Sequence, residues 1–181
     1  MADRFSSLRP DLAQWWREQP MFFVATAPSG DDGHVNLSPK GYDTLRVLAP
    51  DRVAYLDLTG SGVETIAHIR DNGRVTLMAC AFSGNPRISR IYGRGSVHVF
   101  GSAEFDALAP EFPELPGRRS IIEVAVERVT TSCGYAVPLM DLVEDRERLL
   151  DWARAKGDDG VAEYQQNKNA VSIDGLPGLD A

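Results

Sequence analysis

Short runs of β-branched and aromatic residues, joined by turns of only a few residues, fill most of the chain between positions 21 and 131. Among them only residues 61–72 switch to a helical period. A doubly wound α/β sheet has a helix after nearly every strand, so this pattern excludes that architecture. Strands joined by short turns favour an antiparallel sheet, and closure into a barrel removes its exposed edges. We therefore predict a mainly β protein with flanking helices, built on a six-stranded antiparallel β-barrel.

The individual elements follow from the local period and from turn residues. Strands are predicted at residues 21–27, 34–38, 52–58, 74–82, 87–100 and 120–131, with a shorter and less regular one at 45–48. Helices are predicted at residues 6–19, 61–72, 102–112 and 145–156, and a second short helix runs on to about residue 167. The segment after residue 170 contains closely spaced glycine and proline, which predicts an irregular conformation.

Local motifs refine this prediction. Ser61 and Glu64 stand three residues apart ahead of the helical stretch, which predicts a capping box. Gly73 follows the same stretch and predicts a left-handed helix end. Gly93 and Gly95 lie inside a long strand with no helix after them, so they indicate a bulge or a bend rather than a nucleotide-binding loop.

Length and charge limit the classes of function. The chain has 181 residues, the size of one domain, and we expect a single domain with a barrel core over about residues 21–131 and a C-terminal helical extension over about 140–181. The formal net charge of −7 argues against a nucleic-acid partner, because phosphate contacts dominate such binding. No apolar stretch approaches the ~18 residues of a membrane span, and residues 1–10 do not resemble a secretion signal. We therefore expect no membrane association and a cytoplasmic location.

No side-chain pattern in the sequence identifies a catalytic centre. His34, His68 and His98 lack the spacing of metal ligands, so no metal site is predicted. The sequence has no Gly-x-Ser-x-Gly motif for a nucleophilic serine. Cys80 lies in an apolar strand and is predicted to be an inert core residue. Cys133 follows a strand, where an ordinary loop cysteine is favoured over a reactive thiol.

Two segments combine polar side chains with a backbone suited to an anion. One is NLSPKG at residues 36–41, at the end of a hairpin strand, and the other is TGSG at residues 59–62, before the predicted helix. Free N–H groups at a helix N-terminus favour a phosphate, although Glu64 in the first turn competes for that positive end. Taken singly, each segment is explained better by an ordinary turn or helix cap.

Four segments between residues 21 and 100 carry a family resemblance: FFVATA, HVNLSPKG, RVAYLDLTGSGVETIAHIRDNGRVTLMA and RISRIYGRGSVHV. Their order resembles the FMN-binding split barrels related to pyridoxamine phosphate oxidase. The clearest feature is a strand, a Gly/Ser turn and a helix that ends in Asn-Gly-Arg-Val before the next strand. SCGYAVP and SIDGLPGL, nearer the C-terminus, are similar to features of an uncharacterised branch of that superfamily.

The resemblance implies a split barrel that holds FMN at the interface of a homodimer. Carried over position by position, it implies nine cofactor-binding residues: Asn36, Ser38, Lys40, Asp57, Thr59, Ser61, Thr65, Arg87 and Arg90. The hydroxyls and the lysine would hold phosphate and ribityl oxygens, and Asn36 and Asp57 would contact polar ring or ribityl groups. One of the two arginines would add charge from a neighbouring strand. The sequence also departs from those oxidases. Glu64 and Thr65 stand where they place a basic pair, and their Arg-Leu-x-Pro type ending is missing.

The function implied is an FMN-dependent flavoprotein oxidoreductase that acts on an unknown small molecule other than pyridoxamine phosphate. In such a protein the flavin carries the redox chemistry, which agrees with the lack of a recognisable catalytic acid or base. One alternative is a non-catalytic protein on the same barrel that binds a flavin, a deazaflavin or haem for storage or sensing. Another is a cofactor-free barrel whose dimer surface binds a partner protein.

Overall fold

The computed structural model describes residues 3–179, which form a mostly antiparallel β-sheet with four flanking α-helices. The strands are β1 (Asp3–Phe5), β2 (Phe22–Thr26), β3 (Asn36–Lys40), β4 (Leu45–Ala49), β5 (Arg52–Leu58), β6 (Arg74–Cys80), β7 (Ile88–Val99) and β8 (Arg118–Ser132). The helices are α1 (Pro10–Arg17), α2 (Glu64–Asn72), α3 (Ala103–Leu108) and α4 (Arg148–Lys168), with a 3-10 turn at Ala109–Glu111. The predicted mainly β fold is confirmed.

The sheet is open, and every strand pairing in it is antiparallel. The hydrogen-bonded order is β3-β2-β6-β7-β8-β5-β4, and β1 pairs with the far end of β8. The prediction of six strands was therefore too low, since the described residues form eight. β1 has only three residues and no alternation of its own, so its strand conformation depends on pairing with Val129–Thr131.

The glycines inside the long β7 strand mark a bulge, as predicted. The register of β7 against β8 shifts between Tyr92 and Gly93. A Cβ atom at Gly93 would lie 2.1 Å from the backbone oxygen of Ala125. Only glycine therefore allows the two strands to approach this closely, and the bend falls in the middle of the longest strand pair.

Two hydrophobic cores cover the two faces of the sheet. The main core packs α1 and α2 against one face and contains Trp16, Leu77 and Ile122, each at most 1% exposed. The second core lies on the other face of β5 and β8, where Leu56 and Ile121 pack under Phe105 of α3 and its neighbours. β5 and the first half of β8 are therefore buried on both faces of the sheet.

The start of α2 differs from the prediction, and its end agrees with it. Gly73 adopts a left-handed conformation with φ of 72° and closes the helix. The predicted capping box is wrong, because Val63 is the N-cap residue and no side chain caps the helix. Glu64 instead accepts a hydrogen bond from the backbone N–H of Ile173, at 3.3 Å. The backbone at Ile173 thus binds the carboxylate that the capping box would have used.

The C-terminal extension consists of α4 and a loop that we call the C-terminal loop, residues 169–179. Gly157, with φ of 67°, kinks α4 into two helical parts, which agrees with the two predicted helices. The loop is irregular, as predicted, but an isolated bridge between Val171 and Pro177 closes it, and Leu179 enters the main core. Within residues 3–179, no helix combines the length and the apolar character needed to cross a membrane.

Candidate cofactor site

A buried carboxylate joins two cationic side chains from different strands. Asp57 Oδ1 on β5 accepts a hydrogen bond from Lys40 Nζ at the end of β3, at 2.8 Å. Asp57 Oδ2 accepts from Nε of Arg119 on β8 at 2.8 Å, and Nη2 of the same guanidinium lies 2.7 Å away. The side chains of Asp57 and Arg119 are 0% and 4% exposed, whereas that of Lys40 is 20% exposed. This cluster has one excess positive charge, and Lys40 is the member that a ligand can reach.

The two cations keep Asp57 ionised. Complete burial of this carboxylate would by itself raise its pKa, because the charged form loses its hydration. The charges of Arg119 and Lys40, together with their hydrogen bonds, outweigh burial and lower the pKa of Asp57 from 3.8 to about 2. At neutral pH the cluster therefore contains one carboxylate and two cations.

Two cavities open beside Lys40. The smaller has a volume of about 190 Å³, and its wall includes Lys40, Thr59 and Gly60. The larger has a volume of about 440 Å³, and its apolar wall is formed by Met21, Phe82, Met140 and Leu142. The segment 39–42 lines both cavities, so Lys40 stands at their common boundary.

The Gly/Ser turn before α2 is held by side chains from outside it. Asn169 Nδ2 donates to the carbonyl oxygens of Gly60 and Ser61, at 3.0 and 3.5 Å. Arg119 Nη1 donates to the carbonyl oxygen of Gly62 at 2.8 Å and to Asn169 Oδ1 at 3.0 Å. The same arginine therefore connects the turn to the carboxylate of Asp57.

The hydroxyl of Thr59, at the start of the turn, is buried and already paired. It donates to the carbonyl oxygen of Gly117 at 2.8 Å and accepts from Gln165 Nε2 at 2.7 Å. The side chain of Ser61 is exposed and makes no hydrogen bond to the rest of the described chain. Of these two predicted site residues, Thr59 therefore supports the turn, and Ser61 leaves its hydroxyl free.

A second group of predicted site residues forms a polar chain along β3 and α2. Ser38 Oγ donates to Asn36 Oδ1 at 3.1 Å, and Asn36 Nδ2 donates to Thr65 Oγ1 at 2.9 Å. Thr26 Oγ1 lies 3.3 Å from Asn36 Nδ2 and 3.0 Å from Nδ1 of His68. These amide and hydroxyl groups hold β3 against α2, and none of them lines the cavities beside Lys40.

The histidines of this region do not form a metal site. His34 Nδ1 lies 2.7 Å from Asp174 Oδ1, and Nε2 of the buried His68 lies 4.0 Å from Oδ2 of the same carboxylate. Burial lowers the pKa of His68, which favours the neutral ring. Over the described range 3–179, no three His, Cys, Asp or Glu side chains are arranged to hold a metal ion.

Neither of the two predicted arginines lines the cavities beside Lys40. Arg87 packs over the ring of Trp15, with its guanidinium carbon 5.5 Å from the ring centre. It lines a third cavity, of about 450 Å³, which adjoins the larger cavity beside Lys40 and shares Pro20, Phe82 and residues 140–142 with it. Arg90 lies on β7 opposite Met78 and is not part of the walls beside Lys40.

The sequence interpretation missed Arg119, Asn169 and Gln165, which organise the turn and the charge cluster. Arg119 is the only one with a local signal, because Arg118 and Arg119 stand side by side directly before the apolar and alternating positions of β8. Asn169 and Gln165 lie more than 100 positions from the turn they contact, at the end of an ordinary amphipathic helix. No local pattern marks them.

The fold is similar to that of solved structures with low sequence identity. A histidine-to-alanine variant of the HupZ protein from Group A Streptococcus matches with a TM-score of 0.53 and 19% identity, over 69% of this chain and 99% of that one. A second HupZ structure matches with a TM-score of 0.51 and 19% identity, over 67% of this chain and 91% of that one. At this identity the similarity supports the fold alone.

The sequence comparisons reach further. The pyridoxamine 5'-phosphate oxidase family protein ustO from Aspergillus flavus is 40% identical over 97% of this chain and 77% of its own length. The family profile described as pyridoxamine 5'-phosphate oxidase matches residues 8–133, which include every strand from β2 to β8 and the charge cluster. The chain therefore belongs to the pyridoxamine 5'-phosphate oxidase family.

Proposed function

We propose that this protein is a homodimeric, FMN-dependent oxidoreductase that acts on a small molecule. The observation that carries the proposal is the excess positive charge of the Lys40–Asp57–Arg119 cluster at a cavity wall. A phosphate group suits this charge, because an ammonium already oriented by Asp57 can donate a charge-assisted hydrogen bond at little ordering cost.

The described residues fit the two ends of FMN. The smaller cavity offers Lys40 and the backbone of Gly60 to the phosphate. The larger cavity offers apolar side chains, among them Phe82 and Leu142, to the flavin ring. When bound, FMN supplies the redox chemistry, and the protein supplies orientation and electrostatics.

The side chains in the first turn of α2 offer no cation to the phosphate. Glu64 and Thr65 take the positions where the resemblance leads us to expect a basic pair. The Glu64 carboxylate accepts a hydrogen bond from the N–H of Ile173, and the Thr65 hydroxyl accepts one from the side-chain amide of Asn36. Both side chains are thus engaged in holding the fold, so Lys40 is the cation we assign to the phosphate. We propose a substrate other than pyridoxamine phosphate, because Glu64 and Thr65 replace the basic pair that the resemblance leads us to expect.

Titration of FMN into cofactor-free protein tests the assignment. Replacing Lys40 with Met should weaken FMN binding about 10- to 100-fold, since a hydrogen bond to a charged group contributes about 1.5–3 kcal/mol. Lys156→Met is the matched control. Lys156 also contacts an aromatic ring, that of Trp152 on α4 at 5.5 Å, but it lines neither cavity beside Lys40, so its loss should leave the affinity for FMN unchanged. Unchanged affinity in folded Lys40→Met protein would remove Lys40 from the site.

Turnover separates the oxidoreductase from a storage or sensing protein. The FMN-loaded protein should oxidise a reduced nicotinamide or another two-electron donor in the presence of an acceptor. Tight FMN binding without turnover for any donor would favour the non-catalytic alternative. Sedimentation tests the homodimer, and a monomer at all accessible concentrations would contradict it.

A further inference from the structure

The C-terminal loop supplies the residue that fixes the turn of the candidate site. Asn169 ends α4, is fully buried, and uses its side chain for three contacts. Its amide nitrogen donates to the carbonyl oxygens of Gly60 and Ser61, and its amide oxygen accepts from Arg119. All three contacts are directed at the turn or at the arginine that holds it.

These contacts set the direction of the backbone N–H groups in the turn. In a trans peptide the C=O and the N–H of one peptide plane point in opposite directions. The carbonyl groups of Gly60, Ser61 and Gly62 point towards Asn169 or Arg119, so the N–H groups of the next three residues point away from them. None of those N–H groups, of residues 61, 62 and 63, donates to another residue within 3–179.

The first residue of the turn lines the same cavity as Lys40. Gly60 and Lys40 line one cavity, and a Cβ atom built on Gly60 would meet no atom within 4 Å. Successive free N–H groups of a turn form a concave anion site, and a nearby cation strengthens it. The turn can act in this way only while its carbonyl groups are held on the opposite side.

We propose that Asn169 is a positioning residue that orients the Gly60–Gly62 turn to receive the phosphate of the cofactor. The proposal rests on the proposed function, because it needs a phosphorylated flavin in this site. It assigns a role to the C-terminal loop, which lies outside the matched region 8–133. In this arrangement the loop determines selectivity for the phosphate.

Backbone hydrogen bonds within the C-terminal loop hold Asn169 in its position. The carbonyl oxygen of Asn169 accepts from the N–H of Leu179 at 2.8 Å, and the N–H of Gly178 donates to Ala170 at 2.8 Å. Gly178 lies so close that a Cβ atom there would approach the carbonyl oxygen of Asn169 to 2.3 Å. The loop therefore closes tightly around the residue whose amide faces the turn.

The test compares FMN with riboflavin, which has the same ring but no phosphate. In Asn169→Leu protein the affinity for FMN should fall about tenfold or more, since hydrogen bonds to a charged phosphate are lost. The affinity for riboflavin should change less than about twofold by the same reasoning. Ser172→Ala is the matched control, because the Ser172 hydroxyl serves only the N–H of Leu176 within the same loop. That variant should keep the wild-type ratio of the two affinities.

A second variant keeps the proposal testable if Asn169→Leu does not fold. Asn169→Ala loses the same three hydrogen bonds without adding bulk or charge, so the same selective loss of FMN is expected. An equal loss of FMN and riboflavin, or no loss of FMN, would overturn the positioning role. Wild-type protein that binds FMN no better than riboflavin would overturn the proposed phosphate site itself, and the role of Asn169 with it.

Discussion

Replacing Asp57 with Asn tests the charge cluster directly. Asn has nearly the same shape, but it leaves Lys40 and Arg119 close together beside a neutral amide, with the guanidinium only 4% exposed. Removing one partner from a buried ion pair costs about 3–5 kcal/mol. For a chain of this length each kcal/mol lowers the melting temperature by roughly 2–4 °C, so we expect a decrease of about 6–20 °C.

The pH dependence gives the same substitution a second, independent readout. The pKa of Asp57 is about 2 in the folded protein, compared with 3.8 for the ordinary side chain. Because the folded value is lower, the stabilisation is fully present above 3.8 and is lost as the pH falls through about 2. The difference corresponds to about 2.5 kcal/mol. The stability gap between wild type and Asp57→Asn should therefore narrow by about that amount between pH 5 and pH 2.

Thermal melting at neutral pH measures the first effect, and urea denaturation at a series of pH values measures the second, both followed by tryptophan fluorescence. Asp159→Asn is the control, because Asp159 is exposed on α4 and its loss should leave stability and its pH dependence unchanged. A melting temperature within about 2 °C of wild type, or a gap that does not vary with pH, would refute the reasoning. Either result would mean that the two cations do not depend on Asp57 for compensation.

Further substitutions test the bulge, the second core and the C-terminal loop. Gly93→Ala should destabilise the protein by about 1–3 kcal/mol, because its Cβ would meet a backbone oxygen, whereas Gly30→Ala, in open space, should be neutral in the same denaturation assay. Phe105→Ala should cost about 3–5 kcal/mol, since the side chain is 1% exposed in the second core; circular dichroism melting measures it. Hydrogen bonds from the side chain and backbone of His34 lower the pKa of Asp174. Asp174→Asn should therefore loosen the C-terminal loop, and the amide hydrogens of this loop should exchange faster than in wild type at neutral pH. The difference between the two proteins should disappear when the pH falls below the lowered pKa of Asp174.

The elements that local sequence determines were predicted well. β5 was predicted at its observed bounds, because a short continuous apolar run between turn residues is typical of a strand buried on both faces. The left-handed end of α2 at Gly73 and the bulge at Gly93 were also predicted, since both depend on what a missing Cβ allows at one position.

The elements that depend on distant partners were not predicted. β1 becomes a strand only because Val129–Thr131 of β8 offers it an edge. Glu64 leaves its predicted cap because the C-terminal loop presents the N–H of Ile173. In both cases a contact between residues more than 100 positions apart decides the local structure, and short-range patterns contain no record of it.

In the candidate site, too, residues marked by their own segment were predicted, and residues that depend on distant partners were missed. Lys40 was predicted from its own segment, and the structure places it at a cavity wall. The predicted role of Asp57, contact with polar groups of the cofactor, stays a prediction, but its fully buried carboxylate already holds Lys40 and Arg119. Arg119 was missed because an arginine at a strand start is usually an exposed residue, and only the buried carboxylate opposite explains its 4% exposure.

The positive charge of the candidate site lies on strands, whereas the family resemblance implies a basic pair in the first turn of α2. A basic pair in the first turn of α2 would have placed both positive charges on a single element, at the end of one helix. Here the cations come from β3 and β8, with a carboxylate of β5 between them, so three strands must be in register before the charge is in place. The turn beside them depends in addition on a loop from the other end of the sequence. A site assembled in this way forms only in the completed fold, so loss of the C-terminal loop should remove phosphate selectivity even where the sheet survives.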